Sequence, residues 1–308
     1  MKSLFVALAF AGSAALAAAQ PAATPREKIV VTPAWLAQHL HDRNLVILHV
    51  GEKTTYEAGH IPGARFVSLT DDLAGLAGGD RTGKGLSLEM LPPDVLRDRL
   101  TALGISDSSR VIVYESDDWW SPSTRVVFTL DYAGLGAAWL DGGLAAWKAA
   151  GNQTTVDVPA AQTGKLSPLK TKPLVVDAGF VGQHAHTPSF AIVDARAPAF
   201  YDGIQPGGQR GGPRKLGHIP GAVSAPFDAF TDAETHLKSP EDIKAIFDKI
   251  GVKPGDTIVA YCHVGQQATG VLFAARTLGH PVLLYDGSFQ DWVQRDLPVE
   301  IPPAKKDK

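Results

Sequence analysis

The most reactive side chain of this chain occurs once: Cys262 is the single cysteine among 308 residues. It follows the apolar, β-branched run TIVAY and precedes the loop HVGQQA at residues 263–268, where a helical pattern begins. This order predicts a thiol at a strand end, in front of loop amides and a helix N-terminus. Both features favour negative charge, and therefore the nucleophilic thiolate. The alternative is an inert structural cysteine, because free cysteine is among the most buried residue types.

The loop after Cys262 could stabilise an anionic sulfur by its backbone alone. Amide groups of a tight loop can converge on negative charge, and Gly265 permits the sharp turn that this convergence needs. We therefore expect neither a metal ion nor an organic cofactor here. The residues expected to form the stabilising loop are His263, Val264, Gly265, Gln266, Gln267 and Ala268.

Two further groups of polar residues are candidates for binding or for structure. Asp194 ends an expected strand and Arg196 follows within the same turn, so we expect a local ion pair that braces this turn. His60 and His218 occupy equivalent places in a repeated turn motif. Repetition in both halves favours a structural role, with a ring nitrogen bound to a backbone group, although contact between His218 and the chemistry stays open.

Basic residues that could hold an anionic substrate lie mainly in one insert. The Gly-rich segment 204–215 has no counterpart in the first half of the chain. Such a loop is either solvated or a lid that attracts an anion, and the sequence leaves both readings open. The candidate cations are Arg125, Arg210, Arg214 and Lys215.

The chain repeats three blocks in the same order. GHIPGA at residues 59–64 recurs at 217–222, VIVY at 111–114 recurs in type as IVAY at 258–261, and LDGGLAAW at 140–147 recurs as YDGSFQDW at 285–292. Three ordered repeats predict duplication of a whole domain. Glu115 then occupies the place of Cys262 in the first half, so that only the second half has a thiol there.

Short apolar runs alternate with helical patterns in both halves, which predicts an α/β fold with a mostly parallel sheet and helices on both faces. In such folds chemistry lies beyond the carboxyl ends of the strands, where Cys262 is expected. The expected strands are 45–50, 110–114, 138–140, 191–194, 257–261 and 282–285. The expected helices are 33–40, 93–103, 123–132, 144–150, 240–250, 267–278 and 289–295.

The length is enough for two domains of roughly 150 residues each. We expect a non-catalytic domain at 28–151, a linker at 152–173 that is rich in Thr, Ala, Pro and Lys, and a catalytic domain at 174–302. The Pro- and Lys-rich tail after it is expected to fray.

Residues 1–19 have the pattern of a secretory signal peptide: one early lysine, an apolar run, and small residues before Gln20. This pattern predicts export, to the periplasm. No other apolar run is long enough to span a bilayer, so no membrane span is expected after cleavage. The net charge of −3 provides no general attraction to nucleic acid.

At these motifs the chain resembles the tandem-domain rhodaneses, a family of sulfurtransferases. The resemblance covers nearly all of the chain after residue 19. The resemblance is based on both GHIPGA motifs, on VDAR at 193–196, on the Tyr261-Cys262 loop, and on the blocks before Trp147 and Trp292. It implies two rhodanese-like domains, the second of them catalytic. It also implies a ping-pong reaction in which Cys262 takes sulfur from a small anionic donor, thiosulfate or 3-mercaptopyruvate, and passes it as a persulfide to a thiol or cyanide-like acceptor.

The chain departs from the family pattern at the places that bind the donor. His263 and Val264 stand where thiosulfate-type members carry basic residues, and Phe200 stands where the family often has arginine. The Gly- and Ser-rich loop of the mercaptopyruvate type is not matched either. The resemblance therefore leaves the donor open, and a sulfur carrier or non-enzymatic binding module remains as an alternative. A cysteine phosphatase is excluded, because Ala268 replaces the arginine that such enzymes need six residues after the cysteine.

Overall fold

The structure is a computed structural model that describes residues 23–77, 85–116, 119–208 and 212–303. In the first half the strands are β1 Val30–Val31, β2 Leu45–Val50, β3 Ala64–Val67, β4 Ala74–Ala77, β5 Leu86–Met90, β6 Arg110–Glu115 and β7 Ala137–Leu140. Its α-helices are α1 Pro25–Ile29, α2 Pro33–His39, α3 Lys53–Ala58, α4 Pro93–Ala102, α5 Ser121–Tyr132 and α6 Gly143–Ala149, with a π-helical turn at Leu69–Leu73.

The second half repeats this alternation. Its strands are β8 Val175–Val176, β9 Phe190–Asp194, β10 Gly207–Gly208, β11 Arg214–Lys215, β12 Val223–Ser224, β13 Thr257–Tyr261 and β14 Val282–Tyr285. Its α-helices are α7 Ala178–His184, α8 Pro198–Tyr201, α9 Pro240–Lys249, α10 Ala268–Thr277 and α11 Ser288–Gln294, with a 3₁₀ turn at Phe227–Phe230.

Each half forms a parallel sheet that has five strands within the described residues. The order is β1-β7-β6-β2-β3 in the first sheet and, read in the same direction, β8-β14-β13-β9-β12 in the second. Neighbouring strands in both sheets are parallel, so equivalent strands occupy equivalent places. The predicted α/β fold and the predicted duplication are both confirmed. The strand before Glu115 and the strand before Cys262 are both the central strand of their sheet.

The longer elements form where periodicity and capping agree. Thr32 begins α2, because its side chain accepts a hydrogen bond from the amide of Trp35 at 3.1 Å and proline occupies the first turn. Strands 45–50, 257–261 and 282–285 have their predicted bounds, and the predicted helices end within two residues of the observed ends. The sequence prediction missed the two-residue strands, which are too short to show a period-two pattern. It also missed strands β3, β4 and β5 and the short helices α1, α3, α7 and α8.

The two domains share an apolar core between α5 and α10. Trp120 is 1% exposed, and its ring centroid lies 5.5 Å from that of Trp139 and 6.3 Å from that of Phe273 in the second domain. One continuous cluster of buried side chains includes these rings and Cys262. Trp119 contacts Phe227 across the same boundary, with ring centroids 5.2 Å apart. The two domains are therefore joined by a packed interface in addition to the chain connection.

The predicted linker, residues 152–173, contains no helix or strand. It contacts the first domain, where Thr155 forms an isolated β-bridge with His60. The predicted signal peptide, residues 1–19, lies outside the described residues. Among the described helices, none has the length and apolarity required to cross a bilayer.

Candidate active site

Cys262 lies directly after the central strand β13 and is held by the turn that follows β14. Its amide donates to the Oγ of Ser288 at 3.1 Å, and its carbonyl accepts from the amide of Phe289 at 3.0 Å. Ser288 in turn donates to the carbonyl of Tyr285 at 2.9 Å. The residue is 1% exposed and is not in a disulfide. The backbone at the sulfur-bearing residue is therefore fixed from both sides.

The loop after Cys262 has the tight form that the sequence predicts. Gly265 has φ +80°, in the left-handed region, and an added Cβ would lie 2.7 Å from the carbonyl oxygen of Asp286. The carbonyl of His263 accepts from the amide of Gln290 at 3.0 Å. The amides of residues 263–268 donate no hydrogen bond to any of the described residues. These amides remain available for an anionic sulfur or substrate.

Asp194 and Arg196 form the expected ion pair, with both side chains fully buried. Nε and Nη2 of Arg196 each donate to the carboxylate, at 2.9 and 2.6 Å, and Nη2 also donates to the carbonyl of Gly217. Tyr261 adds a hydroxyl donor at 2.7 Å to the same carboxylate. The guanidinium lies over the ring of Phe289, 3.9 Å from its centroid. The pair braces the turn beside the cysteine loop.

The two repeated histidines play the structural part that repetition predicts. His218 lies 2.9 Å by Nδ1 from the carbonyl of Tyr201 and stacks on that tyrosine at 3.8 Å. His60 has the same Nδ1 contact, 2.9 Å, to the carbonyl of Tyr56 and stacks on its ring at 3.9 Å. Neither ring nitrogen is directed at Cys262 by these contacts.

His263 is a neutral residue of the loop, because burial and then the charge of Arg196 lower its pKa to about 4. Its ring packs edge-on against Phe200, with centroids 4.5 Å apart. The ring is therefore uncharged near neutral pH. It does not replace the missing basic residue of the loop.

The Gly-rich insert forms a hairpin, β10 and β11, beside the cysteine loop. Gly207 packs so closely on Arg196 that an added Cβ would collide with the guanidinium. Arg214 is exposed, donates to the carbonyl of Pro206 at 2.5 Å, and acts electrostatically on His263. Lys215 is bound to the carbonyl of Leu297 at 2.7 Å. The remaining candidate of the insert, Arg210, lies outside the described residues.

Arg125 is the one candidate cation from the first domain, and it is fully buried. Its Nη1 donates to Asp286 at 2.6 Å and to the carbonyl of Gly265 at 3.2 Å. Its Nη2 donates to the carbonyl of Leu88 at 2.5 Å. These contacts hold the cysteine loop, and in this conformation they occupy both terminal nitrogens of the guanidinium.

In the first domain, Glu115 takes the place of Cys262. The indole Nε1 of Trp139 donates to its carboxylate at 2.7 Å. His49 occupies the place of Asp194, and burial followed by the nearby His60 lowers its pKa to about 4. The equivalent site thus has no thiol and no counterpart of the Asp194–Arg196 pair.

The sequence reasoning missed the residues that support the loop from behind: Asp286, Ser288 and Gln290. Gln290 joins the catalytic domain to the hairpin of β4 and β5, since it accepts from the amide of Ser87 and donates to the carbonyl of Gly85, both at 3.0 Å. All three lie in the repeated block YDGSFQDW, so the repetition itself is the sequence signal that points to them.

The comparison with protein families decides what this arrangement is. A family profile described as "Rhodanese-like domain" matches residues 32–150 and 177–295. The chain belongs to the rhodanese-like domain family. The predicted tandem arrangement of two such domains is confirmed, and Cys262 lies in the second.

Curated relatives cover most of the chain. A thiosulfate sulfurtransferase of Azotobacter vinelandii is 30% identical over 89% of this chain and 97% of its own length. A "Probable 3-mercaptopyruvate sulfurtransferase" of Pseudomonas aeruginosa is 34% identical over 77% of this chain and 82% of its own. A sulfur carrier protein of Thermus thermophilus is 27% identical over 91% and 98%. These names support the sulfurtransferase activity predicted from the sequence.

Solved structures share the fold. The anaerobic ergothioneine biosynthesis enzyme of Chlorobium limicola, in complex with trimethyl histidine, superposes with a TM-score of 0.78. It is 20% identical, and the match covers 90% of this chain and 71% of that chain. At this identity the likeness concerns the fold.

A cavity of about 730 Å³ opens beside the cysteine loop, at the carboxyl ends of β2 and β3. Gln266 of the loop forms part of its wall, together with Lys53, Ser68 and Trp119 of the first domain. Within the described ranges, no group of three or more His, Cys, Asp or Glu side chains could hold a metal ion. Because Gln266 belongs to its wall, the cavity connects solvent with one flank of the loop.

Proposed function

We propose that this protein is a sulfurtransferase that moves a sulfane sulfur through a persulfide of Cys262. The thiolate attacks the outer sulfur of a donor such as thiosulfate, the S–S bond breaks, and sulfite leaves with the bonding electron pair. With 3-mercaptopyruvate the C–S bond breaks, and the released enolate takes up a proton to give pyruvate. An acceptor thiolate or cyanide then attacks the outer sulfur of the persulfide and releases the Cys262 thiolate.

The observation that carries this proposal is the combination of a single thiol with unused amides. Cys262 directly follows the central strand, and the amides of residues 263–268 donate no hydrogen bond to the described residues. Both the thiolate and the persulfide are anions, so the same donors serve both halves of the reaction. Neither half requires a redox cofactor, because each step exchanges one bond to sulfur for another.

The test is direct mass measurement of sulfur loading. Residues 20–308 are incubated with thiosulfate or with 3-mercaptopyruvate, and the intact protein is weighed before and after addition of cyanide. We expect one added sulfur, lost on addition of cyanide, and no addition to Cys262→Ser. Failure of both donors to load the wild-type protein would contradict the small-molecule sulfurtransferase function.

The donor-binding cation is proposed to come from the insert hairpin. Arg214 is exposed and acts electrostatically on His263, whereas Arg125 and Arg196 are already bound to buried carboxylates. Arg214→Gln should therefore raise the donor KM severalfold with little change in kcat. Lys249→Gln, at an exposed position of α9 in the same domain, is the matched loss of a positive charge. An unchanged KM in Arg214→Gln would remove the hairpin from donor binding.

A sulfur carrier with little activity on small donors is the second candidate function. It is favoured by the neutral His263 beside Cys262, since a site without a fixed cation in the loop binds a free anion weakly. The Thermus relative is named a sulfur carrier. The carrier function would be supported if a persulfidated protein transfers sulfur to Cys262 at a much higher rate than thiosulfate does.

The protein is further proposed to be exported to the periplasm, on the strength of the signal-peptide pattern in residues 1–19. Expression of the full chain in a Gram-negative host should yield a periplasmic protein whose N-terminus is Gln20. Recovery of the intact Met1 form in the cytoplasm would contradict this.

A further inference from the structure

The non-catalytic domain reaches the cysteine loop through one face of helix α5. Residues at positions i, i+3 and i+4 of a helix lie on the same side. The three contacts from that side join Gln266 Nε2 to Ser121 Oγ at 3.0 Å, Thr269 Oγ1 to Thr124 Oγ1 at 3.0 Å, and Arg125 Nη1 to the carbonyl of Gly265 at 3.2 Å.

Arg125 is the anchored member of this face. It is fully buried, and its partner Asp286 is 3% exposed. Asp286 is itself fixed, because its second carboxylate oxygen accepts from the amide of Met90 at 2.7 Å. With Nη2 bound to the carbonyl of Leu88, the guanidinium has little freedom to rotate.

The bond to Gly265 determines which way one peptide group faces. A trans peptide is planar, so its C=O and N–H point in opposite directions, and no described peptide bond is cis. The carbonyl of Gly265 points to α5 and Arg125. The amide of Gln266, in the same peptide group, therefore points away from α5, and no described residue accepts from it.

We propose that Arg125, a residue of the non-catalytic domain, is a positioning residue for the sulfur-transfer step: it holds the Gly265–Gln266 peptide so that the Gln266 amide donates to the sulfur of Cys262. The proposal rests on the proposed function for the identity of the sulfur species. Without Arg125 the peptide can rotate about its flanking bonds, and one donor to the anion is lost. Gly265 allows such rotation readily because it has no side chain.

The test compares Arg125→Met with Arg276→Met. Arg276 also belongs to an Arg–Asp pair between the domains, with Asp131 of α5 at 3.4 Å, but no hydrogen bond joins its side chain to the cysteine loop among the described residues. Both variants lose a positive charge at the same interface. Only Arg125→Met should lower the rate of sulfur loading, by about tenfold, with the donor KM nearly unchanged.

A second readout separates positioning from mere stability. The rate of Cys262 alkylation by neutral iodoacetamide is measured against pH in the folded proteins. In Arg125→Met the profile should move to higher pH by about one unit, because the thiolate has lost a donor. Arg276→Met should keep the wild-type profile even if it melts earlier. Arg125→Lys, which keeps the charge beside Asp286 but lacks the forked donors, should fall between wild type and Arg125→Met.

Removal of Arg125 leaves Asp286 buried without its ion-pair partner, so Arg125→Met could fail to fold. Arg125→Met/Asp286→Asn removes both charges and is measured in the same way. A wild-type alkylation profile and loading rate in whichever of these variants folds would overturn the proposal. Alkylation requires no sulfur donor, so it decides on Arg125 even if the wild-type protein loads no sulfur and the proposed function fails.

Discussion

At the residue scale, the site is a reactive group surrounded by unreactive ones that fix its backbone. Ser288 and Phe289 hold the amide and the carbonyl of Cys262, and Gly265 gives the following loop its turn. The next side chain after Cys262, His263, has a pKa of about 4 and is therefore neutral at neutral pH. We therefore expect the backbone amides of the loop, and not the His263 side chain, to stabilise negative charge at Cys262.

Gly265→Ala tests this dependence. The left-handed φ of +80° costs a non-glycine residue about 1–2 kcal/mol, and the new Cβ would lie 2.7 Å from the carbonyl of Asp286. We expect sulfur loading, followed by mass, to fall at least about tenfold because the loop must shift. Gly255→Ala is the control, since Gly255 has φ +87° and nothing within 4 Å of an added Cβ. Equal loading in both variants would contradict a geometric role for the loop.

The low pKa of His263 predicts how donor binding responds to pH. With a folded pKa of about 4, depressed by burial and then by Arg196, the ring stays neutral between pH 5 and 8. The pH dependence of the donor KM over this range should therefore be the same in wild type and in His263→Gln. A KM that falls toward pH 6 only in the wild type would show that a protonated His263 binds the donor.

At the scale of elements, the central strands β6 and β13 occupy equivalent places in the two sheets. Each has a buried tyrosine near its carboxyl end, and the tyrosine hydroxyl accepts a hydrogen bond from the first amide after the repeated histidine: Tyr114 from Ile61 and Tyr261 from Ile219, both at 3.1 Å. The duplicated strands thus share their internal hydrogen bonding. They differ at the next residue, where one chain position carries a carboxylate and the other a thiol.

The tyrosine pair provides a matched test of coupling between strand and site. Tyr114→Phe and Tyr261→Phe should each lower the free energy of unfolding by about 1–3 kcal/mol, because each leaves a buried amide without its acceptor. Only Tyr261→Phe also removes a donor to Asp194 and should slow sulfur loading. Chemical denaturation and loading rates measure the two effects. Equal loading in both variants would contradict coupling through β13.

At the scale of the whole molecule, the first domain acts as a support for the second. The shared core around Trp120, Trp139 and Phe273 joins the sheets, while the hairpin of β4 and β5 and helix α5 hold the turn behind Cys262. In the proposed function the first domain, which has Glu115 in place of a thiol, contributes to the site by holding the turn behind Cys262. Such an interface should respond to pH where its carboxylates crowd together.

Glu89 is the group through which pH should act on the interface. Burial and then the charge of Asp286 raise its pKa from 4.5 to about 7, although Arg125 opposes the shift and Asp291 adds to it. The folded state then holds the proton more tightly than the unfolded one, so the stabilisation is complete below pH 4.5 and is lost as pH rises through 7. The unfolding midpoint of the wild type should thus decline relative to Glu89→Gln between pH 5 and 8.

Urea unfolding at pH 5, 6, 7 and 8 measures this difference. Glu234→Gln, at an exposed position of the second domain, provides the background for loss of a surface carboxylate. A constant difference between the wild type and Glu89→Gln over this range would contradict an interfacial carboxyl with a raised pKa.

Local sequence patterns were sufficient for the α/β class, the duplication, the three inner strands of each sheet and the place of Cys262. These features depend on periodicity, caps and spacing, which neighbouring residues determine. The expected Asp194–Arg196 pair joins residues within one turn. The backbone contacts of His60 and His218 occur in both halves, so the repeated motif indicates them. The sequence alone therefore determined which residue reacts and which sheet edge holds it.

Only the tertiary structure decided which groups support that residue. Arg125, a candidate for substrate binding from its charge, is bound to Asp286, a contact between residues 161 positions apart. The neutrality of His263 results from burial and from Arg196, and the contact of Gln290 with the hairpin of β4 and β5 spans more than two hundred positions. Burial and pairing over such separations depend on how the two domains pack, and no local pattern encodes that packing.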